Sequence, residues 1–177
     1  MRQRRYVGNV IRAAVEKDVP TIREIERAAG VLFNEAGMRL VGEMEPTSLD
    51  DLRRFAREGR AWVFVDADDR PIAFVLADAV DGRGHVDQVS VHPSRAHQGI
   101  GRQLIDRTDA WGAAQGLSDL TLTTYVEVPW NGPYYERLGF RYIPDDELTD
   151  ELRAIREKET ALGLDRWPRA AMIRPRA

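Results

Sequence analysis

The run Val89-Ser90-Val91 leads through His92-Pro93-Ser94-Arg95-Ala96-His97 into Gln98-Gly99-Ile100-Gly101-Arg102, where helical spacing begins. Gly99 and Gly101 have no Cβ, so a ligand can approach the backbone closely there. The first turn of a helix leaves N–H groups without intrahelical partners, and the helix dipole adds partial positive charge. A pyrophosphate is the natural occupant of such a place, and Arg102 can add a charge-assisted contact. The plain alternative is a strand-to-helix turn in which the glycines only permit tight packing. The chain has neither a Walker lysine at the required spacing nor a Rossmann GxGxxG. Pro93 cannot extend the preceding strand's ladder.

Other chemistries are narrowed by composition. With no cysteine, the chain has no disulfide, thiolate metal site or cysteine nucleophile. His85, His92 and His97 fall in one short region without HxxxH or HExxH spacing, which argues against zinc. The net charge of -3, with no sustained basic stripe, argues against non-specific nucleic-acid binding. No apolar run approaches the roughly 20 residues of a membrane span. The basic start Met1-Arg2-Gln3-Arg4-Arg5-Tyr6 lacks a following apolar stretch, so a cytoplasmic protein is expected.

The elements that must position this loop are read from periodicity. A length of 177 residues suits one domain, with residues 1–8 a flexible basic arm. Val10 to Val15 is a first strand, and Asp18-Val19-Pro20-Thr21 a helix entry. Ile22, Ile25, Ala28 and Ala29 recur at helical spacing up to Gly30. Ser48, with Asp51 three residues on, resembles a capping box ahead of Leu52 and Phe55. Trp62 to Val65, Ile72 to Ala79 and His85 to Val91 are strands joined by turns, with Asp87, Val89 and Val91 on one face. Ile100, Leu104, Ile105, Thr108 and Trp111 share a helix face that ends at Gly116. Leu120 to Thr124 is a strand, a short helix follows Pro133, Thr149 to Leu162 is a charged helix, and Ala170 to Ile173 a last strand. The order describes an α+β fold with a mixed sheet.

Val91, Pro93, Gly99 and Gly101 match the pattern V-x-P-x-x-Q/R-x-x-G-x-G/A, and Tyr135-Glu136-Arg137-Leu138-Gly139-Phe140 matches Y-x-x-x-G-F. On these two motifs the chain resembles the GNAT superfamily of acyl-CoA-dependent N-acyltransferases, over roughly Val10 to Tyr142. Ala96 stands where the family has glutamine or arginine, a place that mainly offers its backbone N–H. The resemblance implies a mostly antiparallel central sheet, flanked by helices, whose fourth and fifth strands splay apart around the acyl-pantetheine. It implies acetyl-CoA as acyl donor, contacted by Val89, Ser90 and Val91 and by the loop Ala96, His97, Gln98, Gly99, Ile100, Gly101 and Arg102. It admits a homodimer, for which the sequence offers no separate support.

Acyl transfer to an amine requires that an ammonium lose a proton, that an oxyanion find donors, and that the departing thiolate find an acid. The resemblance puts Tyr135 at the thiolate-protonating position; the alternative is an aromatic that packs the short helix on the sheet. The base is open between Asp87, Glu26, Glu127 and water alone, with surface charge the plainer role for Glu26; His85 and His92 have suitable unperturbed pKa values, with a structural role the alternative for His92 before Pro93. Where some family members carry a fifth-strand glutamate, Thr123 stands here. Asn131 either caps the short helix or bonds the pantetheine arm, and Trp130 and Tyr125 either line the acceptor pocket or pack in the core. Acidic residues in 37–45 and 145–151 are most plainly a solvated charged surface, and would favour a cationic amine if they frame the acceptor. The acceptor is expected to be a small-molecule amine. Alternatives are a protein N-terminus or lysine, or a non-catalytic acyl-CoA-binding module.

Overall fold

The computed structural model describes residues 10–176, so the expected basic arm at 1–8 lies outside the described residues. In chain order the elements are β1 (Val10–Ala13), α1 (Val19–Glu35), α2 (Arg39–Gly42), α3 (Leu49–Arg57), β2 (Ala61–Val65), β3 (Pro71–Val80) and β4 (Arg83–Val91). They continue with α4 (Ile100–Ala114), β5 (Leu120–Tyr125), α5 (Gly132–Arg137), β6 (Arg141–Ile143), α6 (Asp150–Ala161) and β7 (Arg169–Arg174). The fold is mixed α+β, with a seven-stranded sheet in the order β1-β2-β3-β4-β5-β7-β6. The β1/β2, β2/β3, β5/β7 and β6/β7 pairs are antiparallel, while β4 and β5 pair in parallel through Gly84↔Leu120 and His85↔Thr121. Among the described residues no helix is long and apolar enough to cross a membrane.

The chain forms two compact units, one taking in residues up to Leu76 with Gln88–Ile105, the other Ala77–Asp87 with residues from Asp106 on. In the first unit, α1 and α3 turn Val19, Ile22, Ile25, Leu52 and Phe55 toward Ala61, Val63, Val65, Phe74 and Leu76. Every residue of β2 is buried, which explains its unbroken apolar run. Ser48 Oγ accepts from the Asp51 N–H at 3.1 Å, the N-cap expected for α3. At the entry to α1 the expected capping residue does something else. Asp18 makes no side-chain cap to α1; its carboxylate takes the Val15 N–H and a two-pronged contact from Arg12 (2.7 and 3.0 Å). Helix α1 also runs five residues past the expected stop at Gly30, whose φ is not left-handed. The cost of one interior glycine, about 1 kcal/mol, does not by itself end a helix.

The second unit is centred on Val80, Ile143, Leu152, Ala171 and Ile173. Helix α4 is tied to the end of β7: Arg174 Nη1 and Nη2 donate to Asp106 (3.0 Å) and Asp109 (3.2 Å). Gly139, at φ 92°, makes the left-handed turn between α5 and β6. Gly132 opens α5 for a steric reason, because a Cβ there would stand 2.9 Å from the Val126 oxygen and 3.0 Å from that of Tyr125.

Candidate active site

The loop and the reacting groups expected from sequence fall in different units, and each has its own geometry. In the first unit, β4 ends on Val89, Ser90 and Val91, with Ser90 buried and its hydroxyl accepting from Gln88 Nε2 at 3.0 Å. The His92 N–H donates to the Ile72 oxygen (2.9 Å), which fixes where the strand stops. A 3-10 turn follows at Pro93–Arg95, capped by His92 Nδ1, which accepts from the Ser94 N–H at 3.2 Å. His92 is thus a structural element of the loop.

Ala96, His97, Gln98 and Gly99 are exposed, and Ile100 is buried as the first residue of α4. His97 and Gly99 both take left-handed φ, 62° and 72°. For His97 this conformation is unusual. For Gly99 it is the reason for glycine, since a Cβ there would meet no heavy atom within 4 Å. These two left-handed residues turn the backbone from the loop into the first turn of α4. Gln103 N–H closes the first turn onto the Gly99 oxygen at 3.3 Å. The space that a Cβ at position 99 would take is open, and a helix N-terminus beside open space suits an anion.

The second unit holds Tyr135, Asp87 and Asn131. Tyr135 lies on α5, buried, with its ring edge-on to Tyr134 (5.4 Å) and Phe140 (5.9 Å). Burial pushes the phenol above its ordinary pKa of about 10, and nearby Arg169 pulls weakly the other way, so the hydroxyl keeps its proton. Asp87 is exposed on β4. Asn131 occupies the N-cap position of α5 but makes no cap bond; its Nδ2 donates to the Trp130 oxygen at 3.1 Å. The capping reading of its side chain is therefore corrected. Trp130 is 38% exposed and Tyr125 3%, which separates two aromatics that the sequence left equivalent.

The other expected bases are also resolved. Glu26 accepts from the Thr47 N–H (3.1 Å) and hydroxyl (3.2 Å), so it joins α1 to the segment before α3 and is not a solvated charge. Glu127 is exposed in the loop after β5. Thr123 donates to the carboxylate of Glu159, which α6 delivers, and Arg169 Nη2 donates to both (3.1 and 3.0 Å). Arg156 closes the group onto Glu159 (2.6 Å) and Asp165 (2.8 Å). Burial works to raise the Glu159 pKa, but its arginine partners outweigh it and hold the carboxylate ionised. Sequence reasoning missed Glu159 because the residue spacing of α6 says nothing of which strand it meets.

Residues 21–140 match the model of the acetyltransferase (GNAT) family. Over 105 residues the chain is 29% identical to the peptidyl-lysine N-acetyltransferase YjaB of Escherichia coli (strain K12). That match covers 59% of this chain and 65% of the relative, just under two thirds of its length. Among solved structures, the PaiA N-acetyltransferase of Thermoplasma acidophilum in complex with coenzyme A superposes with a TM-score of 0.70 at 15% identity, covering 96% of this chain and 100% of that one. The ribosomal-protein-S18-alanine N-acetyltransferase of Escherichia coli superposes at 0.65 with 19% identity, over 95% and 94%. At these identities the structures establish a shared fold.

Proposed function

The chain belongs to the GNAT acetyltransferase family, and on that premise we propose that it transfers an acetyl group from acetyl-CoA to the primary amine of a small molecule by direct attack. The observation that carries this reading is the pair of left-handed residues, His97 and Gly99, that lead the loop after β4 into the first turn of α4. In this reading the backbone N–H groups of Gln98, Gly99, Ile100 and Gly101 hold the pyrophosphate, flanked by Ala96, His97 and the Arg102 side chain. Val89, Ser90 and Val91 offer strand-like hydrogen bonds to the pantetheine arm, with Asn131 as a further contact. Bound acetyl-CoA supplies the activated acyl carbon as a thioester.

The chain's side chains manage protons. Asp87, exposed on β4, takes a proton from the acceptor ammonium, directly or through one water. The free amine attacks the thioester carbon, the C–S bond breaks, and Tyr135 gives its hydroxyl proton to the departing sulfur. Burial supports that role by keeping Tyr135 protonated across the neutral range. No covalent intermediate on the chain is needed, in keeping with the absence of cysteine.

A second reading, a protein lysine as acceptor, is favoured by one observation: the Escherichia coli relative is a peptidyl-lysine N-acetyltransferase. Both acceptors present a primary alkylammonium. A thiol-release assay with acetyl-CoA, using small amines and lysine peptides in parallel, separates the readings. CoA release with small amines supports the first, and release with peptides alone supports the second. Acetyl-CoA binding without release above background for any acceptor would contradict both and leave a non-catalytic binding module.

A further inference from the structure

The face of β4 that carries Asp87 also carries His85, two residues earlier, where β4 pairs with β5 through His85↔Thr121. His85 is 3% exposed. Its Nδ1 stands 2.8 Å from Thr121 Oγ1, and that hydroxyl donates to the Gly84 carbonyl oxygen at 3.2 Å. A carbonyl can only accept, and the one arrangement that satisfies both contacts at once puts the threonine hydrogen on Gly84 with Oγ1 accepting from Nδ1–H. The tautomer follows, with the hydrogen on Nδ1 and a lone pair on Nε2. A proton acceptor whose far nitrogen is fixed by a second group has the geometry of an oriented base.

Three elements surround this ring. Thr121 comes from β5, while Asp78 of β3 and Glu159 of α6 act on it by charge. Glu159 is itself anchored by Thr123, Arg156 and Arg169. Burial pulls the imidazole pKa down to about 4, against the opposing pull of Asp78 and Glu159. The ring is therefore neutral at ordinary pH, with its lone pair available.

We propose that His85 Nε2 takes the second of the two protons that the acceptor nitrogen must lose. The proposal rests on the transferase reading above. The ammonium gives its first proton to Asp87 or water, and the nitrogen lone pair bonds to the thioester carbon while the C=O π pair moves to oxygen. The adduct nitrogen now carries positive charge and a surplus proton, which passes to Nε2, directly or through one bridging water. The oxygen pair re-forms C=O, the C–S bond breaks with its electrons on sulfur, and sulfur takes the Tyr135 proton. Amide and thiol leave, and the imidazolium, phenolate and carboxyl groups reset with solvent, with a net release of one proton. A weak base suits this step, because nitrogen in the adduct is far more acidic than the parent alkylammonium. The imidazolium forms beside two carboxylates. Same-face neighbours on a strand are roughly 7 Å apart, so Asp87 and His85 can serve one nitrogen in turn.

Two measurements on the full chain test this. Nitrogen-resolved NMR of the imidazole needs no acceptor: Nε2 should carry no proton between about pH 6 and 9. A protonated Nε2 in that range overturns the proposal. His85→Gln keeps a donor for Thr121 but cannot take a proton. With alkylamine acceptors its kcat should fall roughly 100-fold or more, with acetyl-CoA Kd unchanged. With weakly basic amines such as hydroxylamine the loss should shrink, since their adducts surrender the proton to water. Equal losses for both amine classes, or no loss, would assign His85 a structural role and overturn the proposal. Wild-type protein that turns over no amine would instead sink the transferase reading.

Discussion

Tyr134 and Tyr135 are adjacent in sequence and differ in environment. Tyr135 is buried against Phe140, while Tyr134 is half-buried with the Arg137 guanidinium 5.8 Å above its ring. For Tyr135, burial keeps the phenol protonated. Tyr135→Phe should lower kcat on the order of 100-fold, with acetyl-CoA affinity retained, and Tyr134→Phe should change it little. Steady-state kinetics on the two variants decides this, and unchanged turnover in Tyr135→Phe removes it as the acid. Because its pKa lies above the ordinary value, the kcat profile should show no falling limb from Tyr135 below about pH 10. Tyr135 was legible through the motif ending in Gly139-Phe140. His85 was visible only as a histidine of ordinary pKa, because burial and the Thr121 partner come from a strand 36 residues away.

At the scale of elements, local signals were legible where the chemistry is local. Ser48 caps α3 as its spacing with Asp51 implied, and Ser48→Ala should cost about 1 kcal/mol in denaturant unfolding. No change in the midpoint would mean that the cap carries no stability. Strands β2, β3 and β4 follow their apolar runs, and the loop into α4 follows from glycine, proline and helical period. Three features were not legible, and each depends on a distant partner. Helix α1 passes Gly30 and its far half packs beside α2, with Gly30 close to the Gly42 backbone. Asp18 is drawn from capping α1 by Arg12 of β1. Asn131 turns its amide back to Trp130, and the short helix that it precedes is instead placed by the close approach of Gly132 to β5. The cluster around Thr123 shares this limit, since α6 carries Glu159 to it across 36 positions.

For the whole molecule, buried ionisable groups set the pH range of stability. His85 has a folded pKa of about 4 against 6.5 when unfolded, so the unfolded chain binds the proton more readily between these values. Stability is complete above about pH 6.5 and should fall by about 3 kcal/mol on descent to pH 4. Burial works against ionised Asp18, but Arg12 and the Val15 N–H outweigh it, so that carboxyl is held below its ordinary value. Its contribution is present above the unfolded pKa and is lost only in stronger acid. Thermal midpoints from pH 8 to 4 should therefore decline from about pH 6.5, and the His85→Gln variant should lack the part above pH 4. A wild-type midpoint flat from pH 7 to 4 would contradict the buried neutral imidazole. The proposed activity depends on the backbone at His97 to Gly101 holding the diphosphate of an acyl-CoA. Calorimetric titration of the folded chain with acetyl-CoA tests this directly, with Gly99→Glu as the paired variant. Glutamate there brings negative charge and a strained left-handed backbone of about 1–2 kcal/mol. Saturable binding by the wild type, lost in a still-folded Gly99→Glu, is the predicted result; a wild type that ignores acetyl-CoA, or a variant that binds it equally well, would contradict it.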